Sequence, residues 1–186
     1  MNLSVEREQK IIGFNSRGDR QKDDYYSTPF EATDALLSVE QFNGTIFEPC
    51  CGEGHISKRL IERGYTVESS DLIDRGYGTP GRDFLFEREQ RDNVITNPPY
   101  KMSLLMAEHS QSIAKNKTAL LLKITFLEGV ARQQFFKRHP PARIWVFSRR
   151  LALMKNGESF KGGMMCLAWF VWETGSTRLP TIGWIK

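Results

Sequence analysis

The chain has 186 residues and is short of cysteine and histidine, with three of each. Cys50 and Cys51 are adjacent and Cys166 is distant, so neither a CxxC pair nor a zinc-ligand spacing is present. That excludes a disulfide-rich scaffold, gives no reason to expect a metal, and predicts free thiols in a reducing compartment. No apolar run approaches the ~20 residues that cross a bilayer. The N-terminal MNLSVEREQK has no signal-like apolar core. A soluble, cytoplasmic protein with no membrane partner is expected. What is present is ordinary globular composition, 40% hydrophobic and 26% charged, which excludes disorder as a description of the whole. The length suits one domain: residues 1–24 are polar and aperiodic and read as a flexible tail, and 25–186 read as a single unit.

The net charge of +4 is unevenly spread. Residues 25–100 carry 7 Lys and Arg against 13 Asp and Glu, whereas residues 101–186 carry 14 against 4. A basic half beside an acidic half is the footprint of a polyanion-binding face, nucleic acid being the commonest polyanion. The plain alternative is a scatter of solubilising surface charge, and charge alone does not separate the two.

Apolar runs alternate with turn signals along the chain. Thr45-Ile46-Phe47 reads as a strand, and Ile56, Leu60 and Ile61 recur at helical spacing. Tyr65-Thr66-Val67 reads as a second strand with Asp71 just past its end, and Val94-Ile95-Thr96 as a third. Met102–Ala114 suits a helix, Ala119–Leu122 a buried strand and Gly129–Lys137 another helix. Ala142–Phe147 and Met164–Trp172 are strand candidates separated by a basic loop. This alternation predicts an α/β fold with a mostly parallel sheet and one antiparallel strand near the C-terminus. Ligands of such sheets bind at the carboxyl ends of the strands.

Two segments fall there. Glu48-Pro49-Cys50-Cys51-Gly52-Glu53-Gly54 links the first strand to a helix. Gly52 and Gly54 permit a tight turn and the approach of a ligand. Glu48 and Glu53 would repel a pyrophosphate, so the loop suits a cationic cofactor, with Glu48 placed for an ammonium group and Asp71 for ribose hydroxyls. By itself such a loop can also be a mere connector. Asn97-Pro98-Pro99-Tyr100 is more specific: two prolines after a strand fix the backbone and remove two N–H donors. The Asn97 side-chain oxygen and the Pro98 carbonyl can both accept hydrogen bonds from a planar NH₂, and Tyr100 offers a stacking face. The competing reading is a proline-rich turn with a packed tyrosine.

With these segments in order, the chain resembles the S-adenosylmethionine-dependent N6-adenine DNA methyltransferases, whose signature is (D/N/S)PP(Y/F/W), and in particular small phage and prophage members. The resemblance covers about residues 24–173. It implies a Rossmann-like class I methyltransferase fold with a seven-stranded sheet, S-adenosylmethionine as cofactor with no metal, and DNA as the adenine-bearing partner. It places Thr28 and Pro29 at the cofactor's methionine end, Glu48, Pro49, Cys50, Gly52 and Gly54 in the cofactor loop, and Asp71 at the ribose. Asp83 and Phe84 fall at the cofactor's adenine, Asn97 at both cofactor and acceptor, and Pro98, Pro99 and Tyr100 in the catalytic signature. Cys50-Cys51 and Lys101 depart from the usual residues without breaking the chemistry. The stretches Trp145–Arg150 and Ala168–Trp172 carry the likeness to phage members.

Lys101, Arg149, Arg150, Lys155 and Lys161 are expected to hold the nucleic-acid backbone. Almost nothing remains for a separate target-recognition domain, so a short or relaxed sequence specificity is expected, read by the basic loop at 149–163 and neighbouring edges. The signature also occurs in RNA and protein-glutamine methyltransferases, and a catalytically idle nucleic-acid-binding module is a third reading. The oligomeric state is left open, with a monomer slightly favoured. His55 reads as an early helix residue, His109 and His139 suit neither a metal site nor a triad, and Trp169 and Trp172 read as core residues on opposite faces of a strand.

Overall fold

The computed structural model describes residues 26–151 and 166–186, together with the backbone of two short strands between them, Met154–Lys155 and Glu158–Ser159. The expected tail at 1–24, the side chain of Lys155 and all of Lys161 lie outside the described residues. The elements, in chain order, are α1 Phe30–Leu37, β1 Ile46–Glu48, α2 His55–Glu62, β2 Val67–Ser69, β3 Arg91–Thr96, α3 Ser103–Ile113, β4 Ala114–Lys123, α4 Val130–Arg138, β5 Arg143–Phe147, β6 Met154–Lys155, β7 Glu158–Ser159, β8 Leu167–Glu173 and β9 Thr181–Ile185.

Seven strands form one sheet in the order β2-β1-β3-β4-β8-β5-β9, and β6 and β7 pair separately. β8 runs antiparallel to both its neighbours, β4 and β5, and the other pairings in the sheet are parallel. The carboxyl ends of β1, β2, β3 and β4 therefore gather at one end of the sheet. Alternation along β4 and β8 divides the core into two faces. On one, Ala119, Leu121, Trp169 and Val171 pack with Ala32 and Leu36 of α1 and Ile56 and Leu60 of α2. On the other, Leu120, Leu122, Phe170 and Trp172 pack with Phe126 and Phe135. Trp169 and Trp172 thus point to opposite faces. Trp169 is fully buried, and its indole N–H donates to the Ala32 carbonyl at 2.8 Å, which fastens α1 to the sheet.

Three features differ from the sequence reading. β2 begins two residues later than read, because Val67–Ser69 rather than Tyr65–Val67 pairs with Ile46–Glu48. α1 carries no obvious apolar stripe: its buried positions are Ala32, Thr33, Ala35 and Leu36, three of them small. The last strand, β9, hides behind Gly183 and the exposed Ile182 and Trp184. It pairs with β5, and a Cβ on Gly183 would stand 2.3 Å from the Trp145 ring, so the indole takes the room that a side chain would need.

Candidate functional site

β1 ends at Glu48, and the chain turns through Pro49–Gly54 into α2. The Glu48 side chain does not project from this turn. It is 1% exposed, and its Oε2 accepts hydrogen bonds from the Ser57 N–H at 2.8 Å and from the Ser57 hydroxyl. Ser57 Oγ in turn lies 2.6 Å from Ser69 Oγ on β2. Burial pushes the carboxyl up to about 8, against the Ser57 hydrogen bonds, and the neighbouring Asp71 charge adds to the rise. Glu48 is thus a buried acid under the loop, holding the first turn of α2 to the ends of β1 and β2.

Asp71 fixes the loop from its other side. Its two oxygens accept from the Gly52 N–H at 2.8 Å and the Ile73 N–H at 2.9 Å. Cys51 N–H donates to the Ser70 carbonyl at 3.0 Å, so the loop and the end of β2 form one backbone unit. Burial raises the Cys50 thiol well above its usual range and the Cys51 thiol to about 12, so neither is a nucleophile near neutrality. All three cysteines are free. Cys50 Sγ lies 3.9 Å from Met106 Sδ.

The sequence gives Gly54 a place in ligand approach, and the structure gives it a further duty. It caps α2 in the left-handed region at φ 79°, and a Cβ there would meet the Tyr77 ring at 2.3 Å. Tyr77 comes from the glycine-rich segment after Asp71 and closes over the loop, with Lys58 Nζ 4.9 Å from its ring centroid. Tyr77 is not legible in the sequence, because its place over Gly54 depends on how the glycine-rich segment folds back. Asp83 caps a short 3-10 turn by accepting from the Leu85 N–H at 3.0 Å. Phe84 is 3% exposed, 6.3 Å from Phe47 and 4.9 Å, edge-on, from His109. Burial lowers the His109 pKa, so this imidazole is a neutral packing group.

β3 delivers the second half of the site. Its ladder with β4 closes at Thr96–Leu120, and Asn97 leaves it. The Asn97 amide donates through Nδ2 to the Thr28 hydroxyl at 3.1 Å and to the Tyr26 carbonyl at 3.2 Å. Two acceptors on the amide nitrogen orient the group and turn Oδ1, a pure acceptor, to the opposite edge. Segments 69 residues apart in sequence, Thr28-Pro29 and Asn97–Tyr100, thereby meet. Thr28 is buried at 4%, Pro98 is buried, and Pro29 caps the start of α1.

Tyr100 opens a 3-10 turn after the prolines, its ring 5.7 Å from that of Tyr26. Lys123, the last residue of β4, places its ammonium 4.5 Å from the Tyr100 ring centroid. A cation–π contact of this kind at a partly exposed site is worth only about 0.5–1 kcal/mol. Tyr26 and Lys123 are members of the site that sequence reasoning missed. Lys101 is exposed beside the signature, and Arg149 and Arg150 are exposed just past the end of β5. β5 lies three places from β3 in the sheet, roughly 14 Å at the usual strand spacing. The arginines therefore stand along the same end of the sheet, away from Asn97. His55 is the first residue of α2, its ring 6.0 Å from that of Phe30. Among the described residues no three His, Cys, Asp or Glu side chains gather to hold a metal ion, and no helix is long and apolar enough to cross a membrane.

No protein-family model matches the chain, and no curated protein matches it closely enough to count as a relative. Solved structures do match. A protein of Pyrococcus horikoshii assigned as an RNA methyltransferase superposes with TM-score 0.64 at 12% identity, over 91% of this chain and 98% of that one. The fold is that of a Rossmann-like methyltransferase. Magnesium protoporphyrin IX methyltransferase from Synechocystis PCC 6803, with bound S-adenosylmethionine, matches at TM-score 0.51 and 15% identity, over 92% and 91% of the two chains. The EcoKI M protein of a type I restriction enzyme matches at TM-score 0.58 and 11% identity, over 84% of this chain and 45% of its own. The chain spans about half the length of such modification subunits. At these identities the likeness carries the fold, and the residues must carry the chemistry.

Proposed function

We propose that this protein transfers a methyl group from S-adenosylmethionine to the exocyclic N6 amino group of adenine in DNA. The observation that carries the reading is the hydrogen-bonded union of Asn97 with Thr28 and Tyr26, which fixes an acceptor edge beside Tyr100. The cofactor fits the donor set: the acidic loop suits a cation, and Glu48 is a carboxyl buried beneath that loop with no cationic partner among the described residues. Glu48, Pro49, Cys50, Gly52, Gly54, Asp71, Asp83 and Phe84 would line the cofactor side, with Thr28 and Pro29 at its methionine end. When bound, S-adenosylmethionine supplies an electrophilic methyl group on a sulfonium.

The remaining chemistry belongs to the chain. The adenine NH₂ is a poor nucleophile because its lone pair is delocalised into the ring. Asn97 Oδ1 and the Pro98 carbonyl accept its two hydrogens, drawing them out of the ring plane and localising the lone pair. An amide does not take up a proton, so Asn97 positions and polarises rather than acting as a base, and the proton that the newly methylated nitrogen sheds passes to water as the methyl–sulfur bond breaks and leaves a neutral thioether. Holding the reactants in line contributes ~7–11 kcal/mol of barrier lowering in favourable cases. A base in a duplex must leave the stack to reach the pocket, and Tyr100 provides the face that receives it. Stacking of that kind is worth ~1–3 kcal/mol per base, comparable with the cost of unstacking. Lys101, Arg149 and Arg150 hold the backbone.

The test is transfer of tritiated methyl from S-adenosylmethionine to DNA, RNA and bulk protein in parallel, with Asn97→Ala as control. Label in DNA that disappears in the variant supports the reading. Label in RNA or in protein alone, or label that survives Asn97→Ala, overturns it.

A further inference from the structure

The two ends of β4 each carry a lysine on the same face of the sheet, Lys117 and Lys123, and their surroundings differ in kind. Lys117 Nζ lies 2.9 Å from Glu40 Oε2, a carboxylate that Arg143 also engages. Lys123 is half-buried and makes no ion pair among the described residues; its partner there is the π face of Tyr100. A cation withdrawn partly from water, beside the catalytic tyrosine and without a carboxylate, is a cation kept for an anion that arrives from outside.

β4 outruns β3 by three residues past the last pairing, Thr96 with Leu120. That overhang lifts Lys123 to the level of the Asn97–Tyr100 segment. Its four-carbon stem has reach, and the ring contact is weak enough to exchange for a charge-assisted one. The positive charge is ill placed for the amino group itself, since methylation raises positive charge on that nitrogen, so the anion must belong to a neighbouring group of the acceptor.

We infer that Lys123 is a substrate-positioning residue that grips a backbone phosphate flanking the acceptor nucleotide as its base settles on Tyr100. This rests on the nucleic-acid reading above and sharpens it, because a phosphate beside the acceptor is a property of a polynucleotide and not of a protein amide.

The test measures binding of a DNA duplex bearing one target adenine, by fluorescence anisotropy over a range of salt concentrations. The wild-type protein is compared with Lys123→Met and Lys123→Arg. The duplex is made unmodified and with a neutral methylphosphonate at each phosphate flanking the adenine in turn. Lys123→Met is expected to shrink the slope of log affinity against log salt by about 0.9, and Lys123→Arg to keep it. One methylphosphonate is expected to weaken binding by the wild-type protein and to make no further difference to Lys123→Met. With turnover, KM rises in Lys123→Met while kcat holds.

An unchanged slope in Lys123→Met, or a methylphosphonate penalty equal in both proteins, overturns the inference. So does a wild-type protein that binds no duplex. A wild-type protein that binds with the expected slope but transfers no methyl group removes the methyltransferase reading and leaves the Lys123 assignment standing.

Discussion

The amino and carboxyl ends of the sheet treat charge in opposite ways. At the amino end, Glu40 is 4% exposed and is closed off by Lys117, Arg143 and the Trp145 indole N–H, with Arg143 also reaching Glu173 at 2.8 Å. Burial pushes Glu40 up, and the Arg143, Lys117 and Trp145 hydrogen bonds more than reverse this, so its carboxyl sits below the ordinary range. At the carboxyl end the arrangement inverts. Glu48 is buried with hydroxyl and amide partners, its pKa is raised, and Lys123 rests on an aromatic ring. One end has its charges matched inside the fold, and at the other, among the described residues, Glu48 and Lys123 each have no counter-charge. The first arrangement stabilises, and the second is the one that the proposed ligands of both signs would use, a cationic cofactor near Glu48 and a polyanion at Lys123.

That contrast can be broken from either side. The largest effect is expected at the matched end. Glu40→Gln leaves Lys117 with only the Gln41 carbonyl and Arg143 with Glu173 alone, and should cost about 3 kcal/mol of stability, the low end for breaking a buried pair. Urea unfolding measures it, and a loss below 1 kcal/mol would show that the network is not structural. Since the folded-state pKa of Glu40 is depressed, its contribution is present above the unfolded value and should be lost as pH falls through the folded one. Asn97→Ala should do the reverse at the open end. It is expected to lower methyl transfer by about 10²–10³, the usual cost of removing one preorganised polar contact to the reacting group. Its unfolding midpoint should stay near that of the wild type.

A smaller effect concerns Glu48. Its folded pKa is raised to about 8, so its protonated form contributes stability that is full below the unfolded value and lost as pH rises through about 8. A cationic cofactor favours the ionised form. Affinity for S-adenosylmethionine should therefore climb with pH up to about 8, by at most about tenfold per unit. Calorimetry across pH checks this, and Glu48→Gln should flatten the profile; a wild-type profile already flat would remove Glu48 from the cofactor's side. The smallest effect is at the rim. Arg149→Ala with Arg150→Ala should reduce the salt slope of DNA binding by about two units and leave folding unchanged. An unchanged slope would mean that the backbone runs elsewhere.

Much of this was legible in the sequence for identifiable reasons. Turn chemistry at Glu48–Gly54 and Asn97–Tyr100 marks the strand ends, and the alternation of strands and helices gives the sheet and its antiparallel member. What stayed hidden depends on register and on contacts distant in sequence. Ala119–Leu122 reads as a buried strand that stops one residue short of Lys123. Only its pairing with β3 and β8 carries Lys123 up to Tyr100. Tyr77 reads as part of a glycine-rich loop, and its role emerges once that loop folds back over Gly54. Glu48 reads as a cofactor contact, whereas its tie to Ser57 is set by where α2 begins. α1 and β9 escape because small residues in one and a glycine in the other blur the period that burial would otherwise print.

The edge fixed by Asn97 is proposed to act on an adenine amino group in DNA. Chromatography and mass spectrometry of nucleosides from DNA incubated with the protein and S-adenosylmethionine test it most directly. N6-methyldeoxyadenosine is expected with the wild-type protein and should be absent with Asn97→Ala. A methylated cytosine in its place, or no modified nucleoside while S-adenosylmethionine is bound and consumed on another acceptor, would contradict it.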